Sequence, residues 1–148
     1  MNTIDILQKI GNGVLSQSNK HQMLALQFEA QGFKKLAEKY QSHAEEERDF
    51  AQQLFNRILD LGGILSYQSQ EAFEVPTTAL EWLRQDLEIS KNSLQDLLPM
   101  VKAVSEDLVT YDLLKDYYKD EEADLQWTQQ QLDLINFIGY QNWLLQQL

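Results

Sequence analysis

Apolar residues recur at intervals of three and four along almost the whole chain, the spacing that gathers side chains onto one face of an α-helix. Four stripes are visible. The first runs Leu7, Ile10, Val14, Gln17, His21, Leu24, Phe28. The second runs Leu36, Tyr40, His43, Glu47, Phe50, Leu54, Ile58. The third runs Leu80, Leu83, Leu87, Ser90, Leu94, Leu97, Val101. The fourth runs Leu108, Tyr111, Leu114, Tyr118, Glu121, Leu125, Thr128, Leu132, Ile135. They predict long helices over 3–31, 33–60, 78–103 and 106–137, each about 40 Å at a rise of 1.5 Å per residue. A short fifth helix is expected over 140–147. No strand-like alternation persists, and no internal repeat occurs.

Punctuation sets the connections. Gly32 breaks the first pair of helices, Gly62 and Gly63 end the second, and Gly139 sets off the fifth. Thr78 and Glu81 read as a capping box for the third helix, and Ser105 as the cap of the fourth. Pro99 should kink or shorten the third helix near its end. The first-to-second and third-to-fourth connections are short, so each pair is expected to form an antiparallel hairpin. The second-to-third connection, residues 61–76, is long enough to run back along a bundle as a crossover. The expected fold is all-α: a single domain over residues 1–148, built as a four-helix bundle with a long crossover.

Each stripe is interrupted near its middle: by Gln17 and His21, by His43 and Glu47, by Ser90, and by Glu121 with Asp124 one turn on. In antiparallel helices the middles meet, so one polar layer is expected inside an otherwise apolar core. Within the run SHAEEERDF (42–50), helical phase turns His43 and Glu47 inward and leaves Glu45 and Asp49 at the surface. A buried carboxylate needs a partner, a proton or a cation. Two interpretations are open. Either protonated His21 and His43 pair with Glu47 and Glu121 as a satisfied network, or the layer binds a metal.

Composition narrows the chemistry. The 148 residues carry 12 basic and 23 acidic groups, a net charge of −11. That balance disfavours nucleic acid and anionic membrane surfaces and favours metal cations. Cysteine is absent, which removes disulfides, thiolate metal sites and cysteine nucleophiles. The N-terminus lacks the pattern of a signal peptide, and no apolar run would span a membrane. A cytoplasmic protein is expected. Gly11 and Gly13 lack the strand-then-helix setting of a phosphate loop.

The stretch DEEADLQWTQQQLDLINFIGYQNWLLQQL (120–148) resembles the end of the fourth helix plus the fifth helix of the bacterioferritins, within the ferritin-like superfamily. HAEEERDFAQQLFNRILDLGG (43–63) resembles the family's second helix and its exit. EWLRQDL (81–87) resembles its third helix. KIGNG (9–13) resembles its first, with one inserted residue before Gly32.

The resemblance implies a ferritin-like four-helix bundle, a dimer as building block, and a twenty-four-subunit hollow cage that stores iron. It also implies a di-iron ferroxidase centre of one glutamate from each of two helices and a Glu-x-x-His pair from each of the others. Carried onto this chain, the first glutamate falls at Gly13 or Val14 and the third-helix glutamate at Ser90. The second-helix pair becomes Glu47 and Phe50, and the fourth-helix pair becomes Glu121 and Asp124. The family's haem methionine falls at Arg48, so haem is not expected. His21 falls where the family carries a tyrosine beside its centre. Glu46 matches an acidic position on the cage's inner surface, where Glu45 or Asp49 would help it to nucleate mineral.

Three functions are therefore weighed. One is an iron-storage cage subunit with an impaired or absent ferroxidase centre, acting as a structural or co-assembling partner of an active bacterioferritin subunit. Another is a metal-binding oxidase with an altered site of Glu47, Glu121 and Asp124 completed by His21 or His43, a donor set suited to iron, manganese or zinc. The last is a non-cage bundle that has lost iron chemistry. DNA binding of the mini-ferritin kind is not expected, because there is no basic tail and the charge has the wrong sign.

Overall fold

The structure is a computed structural model that describes residues 1–148. It is all-helical: α1 (Thr3–Ala30), α2 (Lys34–Asp60), α3 (Ala79–Ala103), α4 (Leu108–Ile138) and a short α5 (Tyr140–Leu145). This is the expected order of four long helices, a long crossover between α2 and α3, and a short fifth helix. The chain forms two compact units. One comprises Met1–Val75 with Gln146–Leu148, and the other Pro76–Leu145.

In the first unit, α1 and α2 run antiparallel. Gly11 of α1 lies against Phe55 of α2, and Ser18 donates to the Ala44 carbonyl at 2.6 Å. An added Cβ at Gly11 would sit 2.9 Å from the Phe55 ring, so the absent side chain is what lets the ring approach. Asn2 caps α1 and exchanges hydrogen bonds with Asp5 as a capping box. Both helices end alike. Gly32 and Gly62 take positive φ values of 88° and 79°. The next residues, Phe33 and Gly63, donate back to the Phe28 and Ile58 carbonyls at 2.9 Å. These are Schellman closures, which glycine adopts at little cost.

The start of α2 is different. Its cap residue, Phe33, makes no side-chain cap bond. Instead, Lys35 N–H in the first turn donates to the Gln147 carbonyl at 3.0 Å. The last residues of the chain thus satisfy a donor that the helix start leaves open.

In the second unit, α3 and α4 form the other hairpin. Thr78 supplies its half of the expected capping box by accepting from Glu81 N–H at 3.2 Å. The expected cap of α4 is corrected. Asp107, not Ser105, accepts from Thr110 N–H at 3.2 Å and from the Thr110 hydroxyl at 2.6 Å. A carboxylate holding both donors of one threonine outcompetes a serine two residues earlier. Pro99 lies within α3, which continues to Ala103. Trp143 of α5 is fully buried and donates to Gln131 Oε1 at 2.9 Å.

Most stripe positions are buried, with Leu7, Leu24, Phe28, Leu54, Ile58, Leu83 and Leu114 almost completely so. Leu108, expected to open the fourth stripe, is 74 % exposed at the first position of α4. The buried polar groups also spread beyond the expected mid-helix layer. Gln8, Asn12 and Thr110 are buried outside it, whereas within it Ser18 is buried and Gln17 only half-buried.

Leu54→Ala should lower the free energy of unfolding by about 2–5 kcal/mol. Leu59→Ala, at a residue 52 % exposed, should change it by no more than about 0.5 kcal/mol. Denaturant titration followed by circular dichroism measures both.

Candidate metal centre

Helical phase brings two of the candidate residues into direct contact. His21 of α1 and Glu47 of α2 meet through Nδ1 and Oε1, with only 10 % and 14 % of their side chains exposed. Burial, helped by the neighbouring negative charge of Glu46, raises the Glu47 carboxyl from 4.5 to about 8. The contact has the reach of an ion pair. Burial nevertheless opposes charge separation and disfavours the ionised carboxylate.

Aromatic rings enclose the pair. The His21 ring lies 5.5 Å from Tyr40 and 6.0 Å from His43, and Tyr40 lies 6.1 Å from His43. Phe28 backs Tyr40 at 5.6 Å. His43 is half-buried, and Lys39, one turn earlier on α2, reaches its Nε2 at 3.4 Å. His43 therefore lies beside the pair, with one ring nitrogen directed to a lysine. Glu45 and Asp49 are exposed, as helical phase requires.

The other two candidates lie on α4 of the second unit. Glu121 is buried and Asp124 half-buried. One turn beyond Asp124, Thr128 donates to Asp86 Oδ2 of α3 at 2.9 Å. Sequence reasoning passed over Asp86. Its spacing of four from Ser90 was the available signal, since that places both on one face of α3.

A dinuclear centre of the kind implied by the resemblance needs four carboxylates and two imidazoles. Val14, Gly13 and Phe50 offer no donor atom, and Ser90 offers one neutral hydroxyl. No group of three or more histidine, aspartate or glutamate side chains assembles in a geometry that could hold a metal. The residues present do not fit a dinuclear centre. The position expected for a haem methionine holds Arg48, which is exposed and donates to Asn19 Oδ1 at 3.0 Å. A guanidinium is not a haem ligand.

The family model for the ferritin-like domain matches residues 4–138 and so crosses both units. The chain belongs to the ferritin-like family. Among similar ferritin-like proteins is one from Neisseria meningitidis serogroup B named bacterial ferritin. It is 30% identical over 148 residues, covering 98% of this chain and 96% of that protein. A bacterial ferritin from Pseudomonas aeruginosa is 31% identical with the same coverage. A bacterioferritin from Mycobacterium avium is 29% identical over 110 residues, 73% of this chain and 69% of the relative.

The raised Glu47 carboxyl has a consequence for stability. A group that holds its proton more tightly when folded stabilises the fold fully below its unfolded value of 4.5. That contribution is lost as pH rises through about 8. The thermal midpoint should therefore fall between these limits, with a slope of at most about 1.4 kcal/mol per pH unit. Glu47→Gln, an uncharged mimic of the protonated acid, should flatten the profile and raise the midpoint at pH 8. Calorimetry across pH 5–9 makes the comparison.

Proposed function

We propose that this chain is an iron-storage subunit of the bacterial ferritin type, with its own ferroxidase centre impaired or absent. In this role it acts as a structural or co-assembling partner of an active subunit. The observation that carries the proposal is the state of the expected ligand positions. Only Glu47 and Glu121 retain the family's ligand type, and Glu47 is engaged by His21 and holds a proton near neutral pH. Without the missing carboxylates and imidazoles, oxidation of iron(II) is left to another subunit. The relatives' names support iron as the cargo.

The same proposal covers the wider setting. Residues 1–148 act as one ferritin-like domain, dimers form first, and the assembly is a cage. Glu45, Glu46 and Asp49, all exposed on α2, supply cation-attracting carboxylates. The cytoplasm is the proposed compartment. No helix is long and apolar enough to cross a membrane. Nucleic acid is not proposed as a partner, because the net charge of −11 opposes it.

A second function is favoured by one contact. His21 and Glu47 set an imidazole beside a buried acid, and a divalent cation could displace their shared proton. On this view Glu47, Glu121 and Asp124, with His21 or His43, form an altered metal site. Anaerobic titration with iron(II), manganese(II) and zinc(II) distinguishes the two. Stoichiometric binding with proton release, lost in Glu47→Ala and Glu121→Ala, would establish the altered site.

For the main proposal, the chain alone should oxidise iron(II) in air no faster than buffer does. Mixed with an active bacterial ferritin subunit during refolding, it should enter the same particle, as native mass spectrometry would read. A stoichiometric burst of oxidation by the chain alone overturns the impaired-centre claim. Light scattering tests the cage: an assembly above about 400 kDa supports it, and a particle of about 35 kDa, two chains of 17.3 kDa, does not.

A further inference from the structure

Near the start of α1, the crossover leaves a cavity of about 520 Å³ in the first unit. Asp5, Gln8, Lys9 and Gly13 of α1 line one side, and Gln68 and Gln70 of the crossover line the other. Hydrogen bonds tie the two sides together. Gln8 Nε2 donates to the Ile64 carbonyl at 2.6 Å, and Asn12 Oδ1 accepts from Gln68 N–H at 2.9 Å. The walls are therefore fixed before anything enters.

Gln8 is the unusual member of the lining. It is only 7 % exposed. Its Nε2 is satisfied, but its Oε1 is buried with no hydrogen-bond partner. A buried acceptor without a donor is costly, and native proteins leave few of them. The donor it lacks has to come from a molecule held in the cavity.

The charged lining is uncommitted as well. Asp5, Lys9 and Gly13 fall in one row along α1, four residues apart. An acid four residues before a lysine is the favoured order for an ion pair, yet Asp5 and Lys9 form none. Asp5 Oδ2 accepts from Asn2 N–H, which leaves Oδ1 free. The row ends in open space, because an added Cβ at Gly13 would meet nothing within 4 Å.

We propose that this cavity binds a free α-amino acid through its ammonium and carboxylate groups. The ammonium donates to Gln8 Oε1 and to the Asp5 carboxylate, and Lys9 holds the ligand's carboxylate. The lining offers one negative and one positive group, so a zwitterion compensates both. A simple cation would leave Lys9 opposing it, and a simple anion would meet Asp5 and give Gln8 no donor. The ligand's side chain lies along the amides of Gln68 and Gln70, which suits a polar, uncharged one. The site is separate from the His21–Glu47 pair. Gln8 and His21 stand thirteen positions apart on α1, about 20 Å at 1.5 Å per residue. The inference is therefore independent of the storage role.

Saturation-transfer NMR of the full chain with a pool of the twenty amino acids identifies the ligand, and calorimetry measures its affinity. At least one polar, uncharged amino acid should show transfer. Its affinity should fall by about tenfold or more in Lys9→Ala, and stay unchanged in Lys102→Ala, which removes an exposed charge of the second unit. The corresponding amine and the corresponding carboxylic acid, each with one charged group, should bind about tenfold or more weaker than the amino acid. Gly13→Leu closes the open end of the row with a better helix former, so it should stay folded and lose the ligand. No transfer from any amino acid overturns the inference. Equal binding of either single-charged analogue overturns it, as does undiminished affinity in Lys9→Ala or in a folded Gly13→Leu. If Gly13→Leu misfolds, the comparison of Lys9→Ala with Lys102→Ala decides.

Discussion

Polar groups buried along a helix must find partners, and on α1 this requirement organises the first unit. Four such groups follow one another: Gln8, Asn12, Ser18 and His21. The first two take backbone atoms of the crossover, the third takes the Ala44 carbonyl, and the fourth takes Glu47. Apolar burial is non-directional and would tolerate sliding of one helix along the other. Hydrogen bonds are not so tolerant, because a lost partner leaves a desolvated group unpaired. Ser18 and His21 therefore fix the register of α2 against α1. Gln8 and Asn12 fix the course of the chain after α2 ends.

The same requirement shapes the chemistry. In the ferritin-like family, carboxylates in the middle of the bundle are compensated by cations. Here Glu47 is compensated by an imidazole and a proton, and Phe50 stands one turn on where an imidazole ligand would be expected. The buried acid is thus already satisfied. A cation binding there would have to remove a proton that burial favours, which lowers its apparent affinity as pH falls. Glu121 and Asp124 supply two further acidic groups on α4 of the second unit.

Much of this was legible in the sequence, because helical periodicity is a local property. The stripes set the helix limits closely, and the i, i+4 phase of His43 and Glu47 separated inward groups from Glu45 and Asp49. Mid-helix placement put His21, His43, Glu47 and Glu121 in one polar layer, but it left open whether they form a network or bind a metal and did not single out the His21–Glu47 pair. What escaped was non-local or competitive. Gln8 and Asn12 bond to backbone more than fifty residues away, and amides on a helix carry no mark that an extended segment will lie over them. Ser105 lost the cap to Asp107 because two acceptable caps stood close together and only the geometry of Thr110 separated them. Asp86 escaped because it lies just off the apolar stripe that drew attention to Ser90.

The contact between Lys35 and Gln147 orders events in time. α2 lacks a side-chain cap, and a first-turn amide is completed by Gln147, on the far side of the whole second unit in chain order. On a ribosome, the α1–α2 hairpin can form once residue 60 has emerged, but its second helix begins with an open amide until residue 147 has emerged as well. The fold is in that sense fastened from the rear: its oldest hairpin becomes complete only after the second unit has been made.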